Sequence, residues 1–185
     1  YALCIVDTGG SHSDLTDEYA AVRKEMESVA AYLGKSVLRE VDESEFVKNI
    51  ADIRSSCGDR AVLRAMHFYG DNARVEKQAA ALRAGDFKTF MKYIIESGRS
   101  SYMYNQNVYS CKKAAEQPVS LALSLSEKLL DGCGAWRVHG GGFAGTIQAF
   151  VPLNKLDEYK DLMERVFGSG SCYVLSVRPV GGVEL

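Results

Sequence analysis

No stretch of this chain stays apolar for the roughly 18 to 20 residues that a membrane-crossing helix needs, and its start carries neither the basic segment nor the apolar run of a signal peptide. The sequence therefore reads as cytoplasmic, with no membrane partner. Like charges never gather into a block of about five or six. Lys and Arg number 22 against 24 Asp and Glu, for a net charge of −2, which gives nucleic acid or an anionic surface no electrostatic footing. Cysteine is sparse, odd in number and scattered: Cys4, Cys57, Cys111, Cys133 and Cys172 contain no C-x-x-C. That suits reduced thiols, acting as small apolar side chains, better than a disulfide framework or a zinc site. Only three prolines occur, and there is no repeat, low-complexity tract or long linker. At 185 residues and 46% apolar composition, the chain is expected to form one domain with a substantial core.

What the sequence does have is glycine, concentrated in one place. Gly140, Gly141, Gly142, Phe143, Ala144 and Gly145 form a turn between two strand-like segments. Without a Cβ the backbone there can take positive φ and approach a ligand or another segment closely, which suits a phosphate or tight packing. The string also fits G-x-G-x-x-G. A dinucleotide fold, however, requires a helix to open after the glycines. Thr146-Ile147-Gln148-Ala149-Phe150-Val151 is β-rich and stops at Pro152, so it continues as a strand. A protein-kinase glycine loop does lie between strands, but the catalytic and metal-binding segments of that fold do not follow. The plain alternative is a hairpin whose glycines serve packing.

The rest of the pattern is α+β. Leu3-Cys4-Ile5-Val6 reads as a buried strand ending at Gly9-Gly10. A helix follows from Leu15, capped by Ser13 or Asp14, with Tyr19, Val22, Met26, Val29, Ala30 and Leu33 at helical spacing and Gly34 beyond its end. A short helix is expected from Ser44 to Ile50, breaking before Ser55-Ser56-Cys57-Gly58. Next comes a long helix capped by Asp59, with Val62, Met66, Tyr69, Ala73 and Ala80 on one face. Asp86 caps a helix with the stripe Phe87, Phe90, Met91 and Ile94. Beyond a connection containing Tyr102, Tyr104 and Tyr109, Pro118 starts a helix bearing Leu121, Leu125 and Leu129. Strands at 135–139 and 146–151 flank the glycine turn, a helix carries Leu156, Tyr159, Met163 and Val166, and a last strand runs from Cys172 to Val177. The order implies a small, mostly antiparallel sheet covered by helices: a ferredoxin-like split β-α-β with extra helices in its first crossover.

Three segments in order resemble the C-terminal domain of galactokinases, in the GHMP small-molecule kinase superfamily. Val6 to Arg23 is similar to that family's strand, H-S-L-type turn and E-Y-x-x-R helix. Residues 32–41, ending in Leu38-Arg39-Glu40-Val41, are similar to its L-G…L-R-E-V segment. Residues 140–145 are similar to the superfamily's third motif, G-G-G-F-G-G. The resemblance implies ATP- and Mg2+-dependent phosphorylation of the anomeric hydroxyl of galactose in a cleft between two domains. It assigns Tyr19 to the sugar and Gly140, Gly141, Gly142, Phe143, Ala144 and Gly145 to the neighbourhood of the transferred phosphate, where backbone N–H groups suit charge stabilisation. The family's sugar-recognition segment, triphosphate loop and catalytic aspartate belong to an N-terminal domain and have no counterpart here. No catalytic or metal-binding residue is therefore assigned to this chain. With Tyr1 opening directly on a strand, the expectation is half of a split active site, inactive alone and with an apolar patch through which it would dimerise.

Two positions depart from the family pattern: Ala144 replaces a glycine, adding a methyl expected to restrict φ, and Ser11 precedes His12 where arginine is common. His139 stands where threonine or serine is usual, and it, His12 and His67 read as structural. The rival readings are another kinase of the superfamily, and a non-catalytic module binding a sugar or phosphate metabolite.

Overall fold

The computed structural model describes residues 1–10, 15–177 and 180–182. In β1 (Ala2–Asp7), Ala2, Cys4 and Val6 are buried while their neighbours are not, the period of a strand with one face on a core. With β2 (Ala135–Val138), β3 (Thr146–Val151) and β4 (Cys172–Leu175) it forms a four-stranded sheet of order β2-β3-β1-β4. Every neighbouring pair is antiparallel, with Val6 opposite Ile147 on one side and Cys172 on the other. Cys4, Val6, Ile147, Ala149 and Val151 make one wall of the main core. Val119, Ala122 and Leu130 from α6 (Pro118–Leu130) and Tyr159 and Met163 from α7 (Leu156–Phe167) close it.

Between β1 and β2 lie α1 (Thr16–Tyr32), α2 (Glu43–Lys48), α3 (Ile50–Cys57), α4 (Asp59–Arg83), α5 (Phe87–Ser100) and α6. This is the split β-α-β plan with its first crossover greatly enlarged, an α+β fold as expected. A second core, with Val29, Ala30, Phe46, Ile53, Val62 and Ala65, holds α1 to α4 together. Phe90, Met91 and Ile94 of α5 meet Ala135 in a third. Two helix ends follow from sequence directly. Gly34 (φ 73°) and Lys35 donate to Ala31 O and Ala30 O, both at 3.0 Å or less, and Gly85 and Asp86 repeat the arrangement on Leu82 O and Ala81 O, the pattern that lets a left-handed glycine stop a helix. Asp86 caps α5 through Thr89 N–H at 3.0 Å, and Pro118 sits in the first turn of α6.

Several expectations are corrected. The break before Ser55 does not occur: α2 ends at Lys48, and α3 runs through Ser55, Ser56 and Cys57, because fully buried Ile53 anchors it and Ser55 satisfies its hydroxyl on Ala51 O. Gly58, at φ 89°, caps α4; the Asp59 carboxylate pairs with Arg54 instead. Met66, Ala73 and Ala80 are exposed, and the buried face of α4 is Ala61, Val62, Arg64, Ala65, His67 and Ala81. The stripe is displaced because α4 packs against α1 and α3 on one side and α5 on another. Along α6 the burial likewise shifts to Val119, Ala122, Ser126 and Leu130, leaving Leu121 exposed. In α7, Val166 is exposed. β4 ends at Leu175, which pairs with Leu3; β1 has one residue beyond that, so Val177 is left 80% exposed. Ser11, His12 and the proposed caps Ser13 and Asp14 lie outside the described residues.

Candidate functional site

The glycine turn joins β2 to β3, and its backbone explains its composition. Gly140, Gly142 and Gly145 have φ of 69°, 83° and 100°, and Phe143 shares the left-handed region at 58°. Gly141 is required for another reason: a Cβ there would stand 2.7 Å from Tyr19 Cε1. Gly142 is under both constraints, since its Cβ would meet the Asn107 carbonyl oxygen at 1.8 Å. Ala144 is not in the left-handed region, so its methyl imposes no strained φ. The methyl lies 3.0 Å from where a Cβ of Gly10 would be, and it is the bareness of Gly10 that admits it.

Tyr19 and the turn are in direct contact. The Tyr19 hydroxyl donates to Gly142 O at 2.8 Å, and its ring meets Phe143 edge-on at 5.3 Å and 89°. Burial raises the Tyr19 pKa above its ordinary value, which keeps the proton that this bond uses. Leu15, Phe143 and Ala144 form a small buried cluster with Tyr19 and Val22 against it, so the start of α1 and the turn share a core. Thr8, just past β1, anchors the other end: its N–H and hydroxyl both donate to Gly145 O, at 2.8 and 2.6 Å.

A third element grips the turn from the segment after α5. That helix ends in a π-helical turn, Ser101–Asn105, which closes on Gln106 at φ 54°. Asn107 follows, 5% exposed. Its carbonyl accepts from Phe143 N–H at 2.6 Å, and its Nδ2 donates to Gly141 O at 3.2 Å. Ala144 N–H turns back to Gly142 O at 2.7 Å, whereas the N–H groups of Gly140 and Gly141 meet no acceptor among the described residues and that of Gly142 closes only a loose turn on His139. Alternating backbone handedness with successive unengaged N–H groups is the geometry of an anion-receiving concavity.

Charge behind the site is organised around Glu25 of α1. Arg64, with a fully buried side chain, reaches Glu25 at 2.8 Å and donates through Nε to Asn105 O at 3.0 Å; Arg60 also pairs with Glu25, at 2.5 Å. Burial lowers the Arg64 pKa and Glu25 opposes that. Ser110 donates to Glu18 at 2.7 Å, and Lys112 pairs with Asp17 at 3.2 Å, so the segment carrying Asn107 is fastened to α1 at several points.

Tyr19 and the turn touch, yet they border different spaces. Phe143 and Ala144 line an open cleft of about 630 Å3 with Thr8, Gly9, Gly10, Ser110 and Lys113. Tyr19 lines a more apolar groove of about 490 Å3 with Val22, Met26, Leu38, Arg39 and Phe68. His139 is exposed and bonds Thr146 Oγ1 at 3.0 Å, and His67 is buried against Ser100 Oγ at 2.9 Å, so both have local structural partners. Asn107, Thr8 and Arg64 were not singled out in sequence. The only signal for Asn107 was its place in Asn105-Gln106-Asn107, residue types that tolerate left-handed turns and bond nearby backbone.

No protein-family model matches the chain. The chain is similar to galactokinase of Homo sapiens, 31% identical over 175 residues, covering 95% of this chain and 42% of that protein. Galactokinase of Bos taurus is 35% identical over 174 residues, covering 94% of this chain and 41% of that protein. The chain thus spans about two fifths of the length of the curated relatives it matches. Among solved structures, Lactococcus lactis galactokinase complexed with galactose superposes with a TM-score of 0.69 at 22% identity, over 94% of this chain and 44% of that one. The fold here is the fold of that portion.

Proposed function

We infer that this chain, a galactokinase homologue along nearly its whole length, is the C-terminal domain of a galactokinase-like sugar kinase. The full enzyme transfers the γ-phosphoryl group of ATP to the anomeric hydroxyl of galactose in the cytoplasm. The observation that carries the reading is the direct contact between Tyr19 and the glycine turn, the two features that the resemblance assigns to sugar and phosphate respectively. The N–H row of Gly140, Gly141 and Gly142 suits the charge on a transferring phosphoryl group, and phosphoryl transfer depends on positioning more than on covalent chemistry. With its single proton used on Gly142, Tyr19 would meet the sugar with its ring and as an acceptor.

The remaining parts belong to a second, N-terminal domain: the sugar-recognition segment, the triphosphate loop and the carboxylate that takes the proton as the anomeric oxygen attacks the γ-phosphorus and ADP leaves. Mg2+ is assigned to the nucleotide and that domain by the same family resemblance. The chain alone is then not a competent kinase. The test compares this chain with a protein carrying both domains, using 31P NMR and a panel of galactose, glucose, mevalonate and homoserine. The expected result is ATP-dependent galactose phosphorylation by the two-domain protein and none by the chain. A two-domain protein that bound neither galactose nor ATP would remove the reading, and selective turnover of another panel member would move it to a sister kinase.

A further inference from the structure

Residues 106–110 belong to none of the three segments of the family resemblance, yet Asn107 holds the glycine turn at two adjacent points. Its backbone carbonyl takes Phe143 N–H at 2.6 Å and its side-chain amide gives to Gly141 O at 3.2 Å, while Tyr19 draws in the neighbouring Gly142 O. Two successive carbonyls of the turn are thereby occupied from two different elements. The N–H groups of Gly140 and Gly141 meet no acceptor among the described residues, and that of Gly142 closes only a loose turn on His139. The amide orientation is fixed by chemistry, since a carbonyl partner requires the NH2 side. Asn107 is 5% exposed and its Oδ1 has no partner among the described residues, which leaves the Gly141 bond as the side chain's one polar engagement among them. A buried polar group kept with half its hydrogen bonding unmade calls for a specific reason.

We propose that Asn107 is a positioning residue: it sets the backbone of the glycine turn so that the N–H row of Gly140, Gly141 and Gly142 faces outward as a receptor for a polyphosphate oxyanion. It acts through the turn and does not itself touch the anion. In one respect this rests on the kinase reading, namely that the anion is a phosphate chain. The turn-setting role rests on geometry alone.

The experiment uses the 15N-labelled 185-residue chain, titrated with inorganic triphosphate, with sodium sulfate at matched ionic strength as control. Saturable amide shifts are expected at Gly140, Gly141 and Gly142, well beyond those given by sulfate. Asn107→Ala retains the backbone carbonyl and with it the Phe143 bond, so the sheet resonances should be unchanged. The three glycine amides should move toward random-coil positions and triphosphate affinity should fall at least tenfold. Asn107→Asp has the same size and shape but no donor at neutral pH; read before any anion is added, it should displace the same amides, which a packing role would not do. Should the alanine variant fail to fold, the aspartate variant decides.

Wild-type turn shifts in the aspartate variant, or wild-type triphosphate affinity in a folded alanine variant, would overturn the positioning role. Silence of the wild-type amides toward triphosphate would overturn the receptor. Neither result bears on galactose turnover by the two-domain protein, so the kinase reading fails or survives separately.

Discussion

Gly140 and Gly142 differ in a way that predicts very different tolerances. Both have positive φ, but a Cβ at Gly140 enters open space, whereas one at Gly142 lies 1.8 Å from the Asn107 carbonyl oxygen. Gly140→Ala should therefore cost only the left-handed penalty, about 1 to 2 kcal/mol. Gly142→Ala cannot be accommodated without displacing backbone, and a loss of about 4 kcal/mol or more is expected; urea denaturation of the two variants measures the gap. Tyr19→Phe removes one hydrogen bond to a carbonyl and keeps the ring against Phe143, so about 1 kcal/mol is expected by the same measurement. At this scale the sequence was informative where a residue type answers a local demand. The glycines were legible because positive φ and close approach need them, and the position of Tyr19 on its helix was legible from spacing. Asn107 was not. Its role depends on meeting Gly141, 34 residues away, and no local pattern encodes that pairing.

Several helix ends were read well and helix faces less well, for one physical reason. Gly34, Gly85, Asp86 and Pro118 act within a turn of their own position, so their effects show in the local string. Which face of α4 is buried depends on two flanking layers, and the apolar spacing of Met66, Ala73 and Ala80 gave no sign that Arg64 and His67 would occupy the inner face. Long polar side chains are admitted there because partners await them. His67 has Ser100 Oγ at 2.9 Å and Asp71 at 3.8 Å, while Arg137, itself 2.7 Å from Ser97 Oγ, and Arg74 complete the charged surroundings. Burial lowers the His67 pKa, Asp71 opposes that, and the two arginines reinforce it. The sign follows. A histidine harder to protonate when folded costs nothing while both states are neutral, above its ordinary value of about 6.5. As pH falls through that value the unfolded chain takes up a proton that the native chain refuses, and stability declines until the lower folded pKa is reached. Urea midpoints at pH 7.5 and 5.5 should differ more in the wild type than in His67→Gln, and equal differences would count against the assignment.

The topology of the whole molecule, one strand, a long helical excursion, a hairpin, a helix and a closing strand, was legible because each element announces itself by period and the split β-α-β plan leaves few ways to pair four strands. One tie between the helical excursion and the hairpin was hidden, because it is electrostatic and three-bodied. Glu25 on α1 receives Arg60 and Arg64 from α4, and Arg64 goes on to hold Asn105 O, at the root of the segment that carries Asn107 to the glycine turn. Removing the carboxylate would leave a fully buried guanidinium without its counter-charge. Breaking a buried pair in this way costs roughly 3 to 5 kcal/mol. Glu25 keeps some access to water, its side chain being 22% exposed, so Glu25→Ala is expected nearer 2 to 3 kcal/mol on the same scale. The comparison is Asp59→Ala, which breaks the Arg54 pair, exposed on both sides, and should leave the urea midpoint close to wild type. The loss in Glu25→Ala should also be delocalised. If Arg64 transmits it through Asn105, amide hydrogen exchange should quicken at Phe143, whose N–H is bonded to Asn107, as well as in α1 and α4, while strand β1 exchanges at the rate set by global stability. Faster exchange confined to α1 and α4 would show that the charge cluster stabilises the helical layer without reaching the turn.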